Sequence, residues 1–196
     1  MNEHIRPALV TLGLMVALTG LSYPLAMTGL GQALMPDMAN ASLVYRDGQI
    51  IGSALVGQTF DSPEYLHPRP SAVGYDAAAA GASNLGPTNA TMLADQTARA
   101  TAYAAENRTD RAPVDAVTTS ASGLDPHVST ENAAAQAGRI AQARGVPVAD
   151  VRAIIDAQLE PRWLGLFGEP RVNVLLVNLA LDATLPQAPT APDIEG

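Results

Sequence analysis

The sequence contains no lysine, and all 11 of its basic residues are arginine. A Walker A loop holds phosphate with a lysine, a pyridoxal phosphate enzyme forms its Schiff base on one, and the Ser-x-x-Lys motif of penicillin-binding proteins also requires one. The sequence therefore excludes all three chemistries. If the function involves ATP hydrolysis, another chain performs that reaction.

Cysteine is also absent. Cysteine usage therefore gives no indication of the redox compartment, and an exported domain would have to be stable without disulfides. Structural zinc sites use cysteine and closely spaced histidine, whereas His67 and His127 lie far apart in the sequence. We therefore predict no metal site.

Charged side chains are missing between Pro7 and Pro36. A helix of about 20 apolar residues crosses the roughly 30 Å hydrocarbon core of a bilayer, because each residue rises about 1.5 Å. We predict a transmembrane anchor over residues 7–31, kinked near its far end by Pro24. A signal peptide cleaved at Gly29-Leu-Gly31 is the alternative, but its apolar core would run only about 7 to 15 residues.

The charges that flank this segment predict its orientation. Arg6 precedes the segment, and the first basic residue after it is Arg46. Basic residues near the ends of a span stay in the cytoplasm. We therefore expect a single-pass protein of the inner (plasma) membrane, with residues 1–6 cytoplasmic and the main domain extracytoplasmic.

The predicted fold class is α+β, with one N-terminal transmembrane helix followed by a single extracytoplasmic α+β domain. Residues 37–184 are long enough to form one hydrophobic core. Residues 185–196 contain three prolines and have nothing to pack against, which predicts a disordered tail. The net charge of −8 disfavours nucleic acid and anionic headgroups as partners, and favours a cationic partner or simple solubility.

Turn residues and breakers predict the elements in the first half of the domain. Asp47-Gly48 separates two apolar runs, Ser42–Tyr45 and Gln49–Val56, which predicts a β-hairpin. Phe60–Pro87 is rich in proline, glycine and serine and predicts an ordered but irregular region. The alanine-rich stretch Thr88–Glu106 predicts a helix.

The second half of the domain predicts two strands and two helices. Pro113–Thr119 is interpreted as a short strand that runs into a loop, and Arg171–Asp182 as a buried strand. A helix is predicted between the cap Ser129 and the stop Gly145. Apolar residues at helical spacing from Val148 to Leu159 predict a second helix, stopped by Pro161.

Six short motifs follow the anchor in a fixed order. They are Gly52-Ser-Ala-Leu-Val-Gly-Gln58, Arg69-Pro-Ser-Ala72, Ser83-Asn-Leu-Gly-Pro-Thr-Asn89, Pro113-Val-Asp115, Ser122-Gly-Leu-Asp-Pro-His127 and Arg171-Val-Asn-Val-Leu175. With these motifs the chain closely resembles the KdpC family, the small accessory subunits of the bacterial Kdp potassium-transporting P-type ATPase. The resemblance extends from the anchor to about Asp182.

This resemblance implies a non-catalytic subunit of an ATP-driven, high-affinity potassium uptake complex. The implied partners are a channel-like potassium-translocating subunit, a separate catalytic subunit and the membrane, without nucleic acid. The family is described as a catalytic chaperone that raises the ATP affinity of the catalytic subunit through a ternary complex. No firmly bound cofactor is expected, and ATP would be held only in that complex.

An extracytoplasmic domain would not meet cytoplasmic ATP. Either the effect on nucleotide passes through the membrane subunits, or the domain acts on the ion pathway; we favour a domain that caps the channel subunit while the anchor packs among its helices. If ATP does contact this chain, the weak candidates are Gly81, Ser83, Asn84 and Gly86, before a helix start, and the helix pair Gln136 and Arg139. For Gln136 and Arg139 a solvated or interface pair is the preferred interpretation. The family typically has Ser-Gly-Gly-Ser-Asn where this chain has Ala80-Gly-Ala-Ser-Asn84, which weakens a close phosphate approach.

Arg69, Asp125 and His127 are predicted interface residues. Prolines on both sides restrict the backbone of Arg69, which suits it to bind backbone carbonyls or a partner carboxylate. The alternative function is a membrane-anchored extracytoplasmic hydrolase or binding protein that uses Ser122 and His127. No Gly-x-Ser-x-Gly elbow supports that alternative.

Within the anchor, Gly13, Ala17 and Gly20 are predicted to pack against a neighbouring transmembrane helix. Small side chains allow helices to approach closely in a membrane. The simpler interpretation is a lipid-facing stripe.

Overall fold

A computed structural model of the chain describes residues 2–186. Its helices are α1 (Asn2–Met15), a π-helix (Val16–Ser22), α2 (Tyr23–Leu34), α3 (Pro36–Ala39), α4 (Ala90–Asn107), α5 (Val114–Val117), α6 (Thr130–Arg144), α7 (Val148–Ala157) and α8 (Val174–Thr184). Its strands are β1 (Leu43–Arg46), β2 (Gln49–Ser53), β3 (His127–Ser129), β4 (Leu159–Glu160) and β5 (Arg171–Asn173). The chain divides into two compact units between Ser53 and Ala54.

The first unit opens with a helical run, Glu3–Leu34, that is 32 residues long. It is long and apolar enough to cross a membrane, and its apolar window is entirely exposed. Among residues 2–186 it is the one helix with these properties, which confirms the predicted long apolar N-terminal helix; a membrane span over residues 7–31 stays a prediction. The orientation of this helix stays a prediction.

The π-helix interrupts the α-helical ladder directly before Pro24. Proline has no N–H to donate, so a carbonyl one turn earlier loses its usual partner, and π segments accommodate such interruptions. The irregularity therefore lies on the N-terminal side of Pro24. Ala17 and Gly20 belong to the π-helix and Gly13 to α1, and their predicted packing role stays a prediction.

The predicted hairpin is confirmed. Strands β1 and β2 pair antiparallel. Between them Asp47 and Gly48 have φ angles of 51° and 76°, as a two-residue type I′ connection requires. Strand β2 ends at Ser53, short of the predicted Val56, so the hairpin belongs to the first unit and the second begins at Ala54.

The second unit combines a three-stranded antiparallel sheet, in the order β3–β5–β4, with helices α4 to α8. This mixture of helices and small sheets confirms the α+β class. Val172 on the central strand lies opposite Val128 on one side and Leu159 on the other. The core consists of Leu66, Val128, Ala133, Ala137, Ile140, Ala141, Val151, Ile155, Val172, Val174, Val177 and Leu181.

The predicted helices α4 and α6 both begin at a capping side chain. Asn89 caps α4, because its side-chain oxygen accepts from the N–H groups of Thr91 and Met92. Helix α6 lies between the predicted Ser129 cap and Gly145, which has a φ of 68°. Both helices are confirmed, as is α7 after the Val146-Pro147 connection, but α7 ends at Ala157 and Leu159, predicted as helical, lies in β4.

The predicted strand Pro113–Thr119 is wrong, because Val114–Val117 form the short helix α5. The Asp115 carboxylate accepts from the N–H and the hydroxyl of Ser129, at 2.7 and 2.9 Å. It also accepts from the Asn132 side chain at 3.1 Å. Asp115 therefore fixes this segment against the start of α6, while Val114 remains 76% exposed.

The predicted strand Arg171–Asp182 is right only for its first three residues, after which the chain enters α8. The Asn173 side chain accepts from the N–H of Leu176 and begins the helix. Helix α8 is buried on most sides, so its sequence shows no polar face from which the helical period could be read.

The predicted tail over residues 185–196 lies outside the described residues from 187 onward. Leu185, its first residue, is half-buried and packs against the core. The N–H of Leu185 donates to the carbonyl of Leu181 at 2.9 Å, continuing the last turn of α8.

No helix or strand forms between residues 60 and 87, as predicted, and three stretches of irregular chain meet at Gly123. The Ser71 hydroxyl donates to the Gly123 carbonyl at 2.7 Å, and the Gly81 N–H donates to the Ser122 carbonyl at 2.8 Å. A Cβ on Gly123 would lie 2.5 Å from the Val73 side chain and 2.9 Å from the Gly81 carbonyl. Gly123 also has a φ of 69°, so this crossing requires glycine.

Replacing Gly123 by alanine should therefore destabilise the domain by about 3 kcal/mol, by adding a clash to the strain of a positive φ. Thermal unfolding of the full chain in detergent measures the effect. Gly74→Ala is the matched control, since Gly74 has a φ of 62° but nothing within 4 Å of the added carbon. If the two variants unfold at the same temperature, the crowding inferred at Gly123 is absent.

Candidate functional site

Four buried polar side chains hold one irregular segment, Pro63–His67, against the helices. We call them the polar clamp: Gln136, Arg139 and Arg144 of α6, and Asn178 of α8. Their exposed fractions are 1%, 8%, 3% and 2%. A buried N–H or carbonyl without a hydrogen-bond partner costs free energy. A segment at the core that is neither helix nor strand therefore needs side chains to supply these hydrogen bonds.

Two amide side chains of the clamp each bond both the N–H and the carbonyl of one residue, as a neighbouring strand would. Asn178 accepts from the N–H of Leu66 at 2.7 Å and donates to its carbonyl at 3.0 Å. Gln136 does the same for His67, at 2.8 and 3.1 Å. This pairing places the Leu66 side chain in the core with no exposed area.

The two arginines of the clamp bind the remaining carbonyls. Arg139 Nη1 donates to the carbonyls of Pro63 and Tyr65, at 2.7 and 3.0 Å. Arg144 Nε donates to the carbonyl of Glu64 at 2.9 Å. Together with the amides, the clamp binds all five consecutive carbonyls of Pro63–His67.

The charge of each clamp arginine has a partner. Arg139 Nη2 donates to Gln136 Oε1 at 2.6 Å, and its Nε lies 3.5 Å from a Glu106 carboxylate oxygen. Burial lowers the pKa of Arg139 from its ordinary value, and the Glu106 charge opposes that shift. Arg144 forms a 2.8 Å ion pair with Asp182.

His67 adjoins the clamp at a cavity of about 200 Å³ beside α4. Its Nδ1 lies 3.2 Å from Glu106, and its Nε2 lies 3.0 Å from the Ser62 carbonyl. Burial and the nearby Arg139 charge lower the pKa of His67 below its ordinary value. The neutral imidazole is therefore favoured at this position.

Gln136 and Arg139 were predicted to be a solvated or interface pair, or else a nucleotide contact. The structure corrects the first interpretation, because both side chains are buried and bound to the protein's own backbone. A nucleotide would have to displace these hydrogen bonds. The nucleotide role stays a prediction, and the geometry does not favour it.

The predicted interface residues Arg69, Asp125 and His127 come together in the structure. Arg69 Nη1 donates to Asp125 Oδ2 at 2.8 Å, and Asp125 Oδ1 accepts from the His127 N–H at 3.0 Å. His127 Nε2 lies 3.2 Å from Glu160, whose other oxygen accepts from Arg171 Nε at 2.8 Å. We call these five side chains the charged row.

The charged row connects a loop to all three strands of the sheet, since His127, Glu160 and Arg171 belong to β3, β4 and β5. Burial acts to raise the pKa of Asp125, but hydrogen bonds from His127 and Arg69 outweigh it and lower that pKa. The pKa of Glu160 is lowered in the same way, by Arg171 and His127 against burial. Both carboxylates are therefore held ionised.

A shallow cavity of about 290 Å³ borders the charged row. Arg69, Asp125, His127 and Arg171 line it. The side chains of Arg69, Asp125 and His127 are 25%, 27% and 18% exposed, so each is accessible at one edge. This is a surface on which a polar partner could dock, and that role stays a prediction.

The structure does not favour the hydrolase alternative. The Ser122 hydroxyl accepts from the Leu124 N–H at 3.1 Å and so shapes its own loop. The two ring nitrogens of His127 face carboxylates, Asp125 at 3.7 Å and Glu160 at 3.2 Å. A triad histidine would need one ring nitrogen to face the serine instead.

The glycine-containing loop Gly81–Gly86 borders a cavity of about 320 Å³ through Ser83 and Asn84. Asp95 and Arg99 also line this cavity, and Asp95 opposes an anion. The Gly81 N–H is already bonded to Ser122, and Asn89 caps the following helix. Direct binding of a phosphate by this loop stays a prediction with little geometric support.

Comparison with known proteins decides the family. A family model described as "KdpC: K+-transporting ATPase, c chain" matches residues 5–183. The chain belongs to the KdpC family.

Three relatives illustrate the extent of the similarity, each named a potassium-transporting ATPase KdpC subunit. One from Cereibacter sphaeroides strain KD131 is 59% identical over 183 residues, covering 93% of this chain and 98% of the relative. One from Caulobacter vibrioides strain NA1000 is 56% identical, covering 95% and 96%. One from Beijerinckia indica is 51% identical, covering 98% and 100%.

Sequence reasoning missed two clamp residues of this KdpC-family chain, Arg144 and Asn178. Asn178 stands alone within an apolar run, and a lone amide in such a run must find buried partners. The sequence therefore indicates that Asn178 is hydrogen-bonded inside the protein, but it does not identify Leu66 as the partner. Arg144 lies in the last turn of α6, where a basic residue commonly interacts with the helix dipole, so its sequence position does not indicate burial.

Replacing Arg139 by methionine should lower the free energy of unfolding by about 3 kcal/mol, because the carbonyls of Pro63 and Tyr65 lose their donor inside the protein. Denaturant unfolding of the full chain in detergent measures this change. Arg152→Met, at an exposed position on α7, is the control and should change stability by less than about 0.5 kcal/mol. Equal stability of the two variants would contradict the clamp.

Proposed function

We propose that the chain is a non-catalytic, membrane-anchored subunit of a potassium-transporting P-type ATPase, and that it stabilises the assembled complex. Its partners are a channel-like potassium-translocating subunit and a separate catalytic subunit. The observation that carries the proposal is the 32-residue apolar helix, exposed along its apolar window, in a chain of the KdpC family. Such a helix requires lipid or other membrane helices around it.

The use of polar side chains within the second unit supports a non-catalytic role. Gln136 and Arg139 bind backbone groups, and Asp125 and His127 bind one another and their neighbours. Among the residues that the structure describes, no group of three histidines or carboxylates could hold a metal ion. The phosphorylated Asp-Lys-Thr-Gly motif of P-type pumps also requires lysine, which this chain lacks.

The charged row is the proposed contact with a partner subunit. Its carboxylates are held ionised and its arginines are fixed by them, so it presents a polar surface of defined geometry. Fixed charges confer specificity and orientation at an interface more than affinity. A partner surface with alternating charge would match it.

The increase in ATP affinity is proposed to pass through the membrane subunits. Coupling between distant sites typically amounts to about 1–3 kcal/mol and requires no contact with the nucleotide. The net charge of −8 makes a direct site for an anionic nucleotide unfavourable, and Asp95 beside the Gly81–Gly86 loop offsets the charge of Arg99 in the same cavity. ATP bound between this chain and the catalytic subunit is the alternative within the same function.

The topology can be tested with single cysteines, because the natural chain contains none. Ala149→Cys lies at an exposed position in the second unit, and His4→Cys lies at the start of the first helix. In intact cells or spheroplasts, a membrane-impermeant maleimide should label the residue-149 variant and leave the residue-4 variant unlabelled until the membrane is opened.

The reverse labelling pattern would place the second unit in the cytoplasm and overturn the proposed topology. Direct contact with cytoplasmic ATP would then become the simpler mechanism. If both cysteine variants are functional and both residues are labelled before the membrane is opened, both lie on the outside, and a single span is excluded.

The small-residue face of the anchor is the proposed contact with other membrane helices. Gly13→Leu together with Gly20→Leu should reduce co-purification with the two larger subunits, because bulky side chains hold helices apart. Ala8→Leu with Thr11→Leu is the control, since both residues lie on the face of α1 opposite Gly13 at 100° per residue. Equal recovery of the complex from both double variants would exclude this face as the contact.

A further inference from the structure

An apolar turn protrudes between β4 and β5. Its residues Trp163, Leu164, Leu166 and Phe167 are 68%, 71%, 76% and 61% exposed. We call Trp163–Phe167 the apolar tip. The chain has one tryptophan and two phenylalanines, so two of its three largest apolar aromatic side chains lie at this exposed position. Large apolar groups clustered on a surface mark a contact with a membrane or a protein.

The backbone of the apolar tip is closed on itself. Trp163 and Phe167 exchange N–H to carbonyl hydrogen bonds of 2.9 and 3.0 Å. The N–H groups of Gly165 and Leu166 donate to the carbonyls of Arg162 and Trp163, at 3.0 and 3.1 Å. Four of the five N–H groups of Trp163–Phe167 are thus bonded to Arg162 or to the tip's own carbonyls, and can enter an apolar medium already paired.

The tip also has a defined shape and a charge-neutral base. The Trp163 and Phe167 rings lie 5.7 Å apart at an angle of 44°. On either side of the tip in the sequence, Arg162 and Glu169 form an ion pair of 2.5 Å with each other. Since these two charges balance, the base of the tip neither requires an anionic surface nor is repelled by one.

We infer that the apolar tip inserts into the headgroup region of a zwitterionic phospholipid bilayer. The inference rests on the proposed function, in which the helical run Glu3–Leu34 anchors the chain in a membrane and makes a bilayer available to the tip. A convex tip needs a complementary groove to bind a protein, whereas a bilayer deforms around it. Tryptophan, phenylalanine and leucine are the side chains that lie at the boundary of headgroups and acyl chains.

The single tryptophan allows the insertion to be measured without a label. The full chain is reconstituted in nanodiscs of phosphatidylcholine, and in nanodiscs of phosphatidylcholine brominated on its acyl chains. The anchor contains no tryptophan, so the emission reports only the tip. We expect blue-shifted emission, and more than about twofold quenching by the brominated lipid, since interfacial side chains reach about 5–10 Å into the boundary.

Leu164→Asp together with Leu166→Asp should remove the quenching and shift the emission to the red. Val114→Asp is the matched control, because Val114 is also 76% exposed but lies on α5, away from the tip in sequence. Circular dichroism checks that each variant is folded. Trp163 is itself unchanged in all of these chains.

Red-shifted emission in both kinds of nanodisc, with no bromine quenching, would overturn the inference. A blue shift that increases with protein concentration, without quenching by the brominated lipid, would show that a second copy of the chain covers the tip. If the blue shift occurs only after the other ATPase subunits are added, and the brominated lipid does not quench the emission, the tip binds a groove on a partner subunit. Each of these results contradicts insertion into lipid.

Discussion

The second unit depends on hydrogen bonding of a buried segment that has no regular structure. Pro63–His67 crosses the helices with Leu66 in the core, and a strand ladder is not available to bond its backbone. The polar clamp supplies those bonds from α6 and α8. Since a buried unpaired carbonyl costs roughly 1–3 kcal/mol, the clamp decides whether this segment is buried at all.

The clamp also positions the surface proposed to face a partner. Arg69 follows the clamped segment by two residues, and its carboxylate partner Asp125 lies in the loop that crosses at Gly123. The charged row then extends across β3, β4 and β5. A polar interior and a polar surface are therefore built from consecutive parts of the same irregular chain, although one is buried and the other is accessible.

Features set by neighbouring residues could be predicted from the sequence, and features set by distant residues could not. The hairpin at Asp47-Gly48 and the caps Ser129 and Gly145 depend on local geometry, and the structure has them where predicted. The segments after Pro113 and Asn173 were wrongly predicted as strands, because their β-branched residues are common in strands but also occur in helices such as α5 and α8. Arg69, Asp125 and His127 were each predicted as interface residues, but the pairing of Arg69 with Asp125 was not predicted, and neither was that of Asn178 with Leu66, 112 positions apart.

That separation has a consequence for biosynthesis. The segment at Pro63–His67 leaves the ribosome well before α6, and about 110 residues before Asn178 can reach it. Contacts so distant along the chain form late, because a long loop must close first. Helix α6 can bind four carbonyls of the segment as soon as it is made, but the backbone of Leu66 has to wait for Asn178, so a nascent chain without α8 holds this segment only in part.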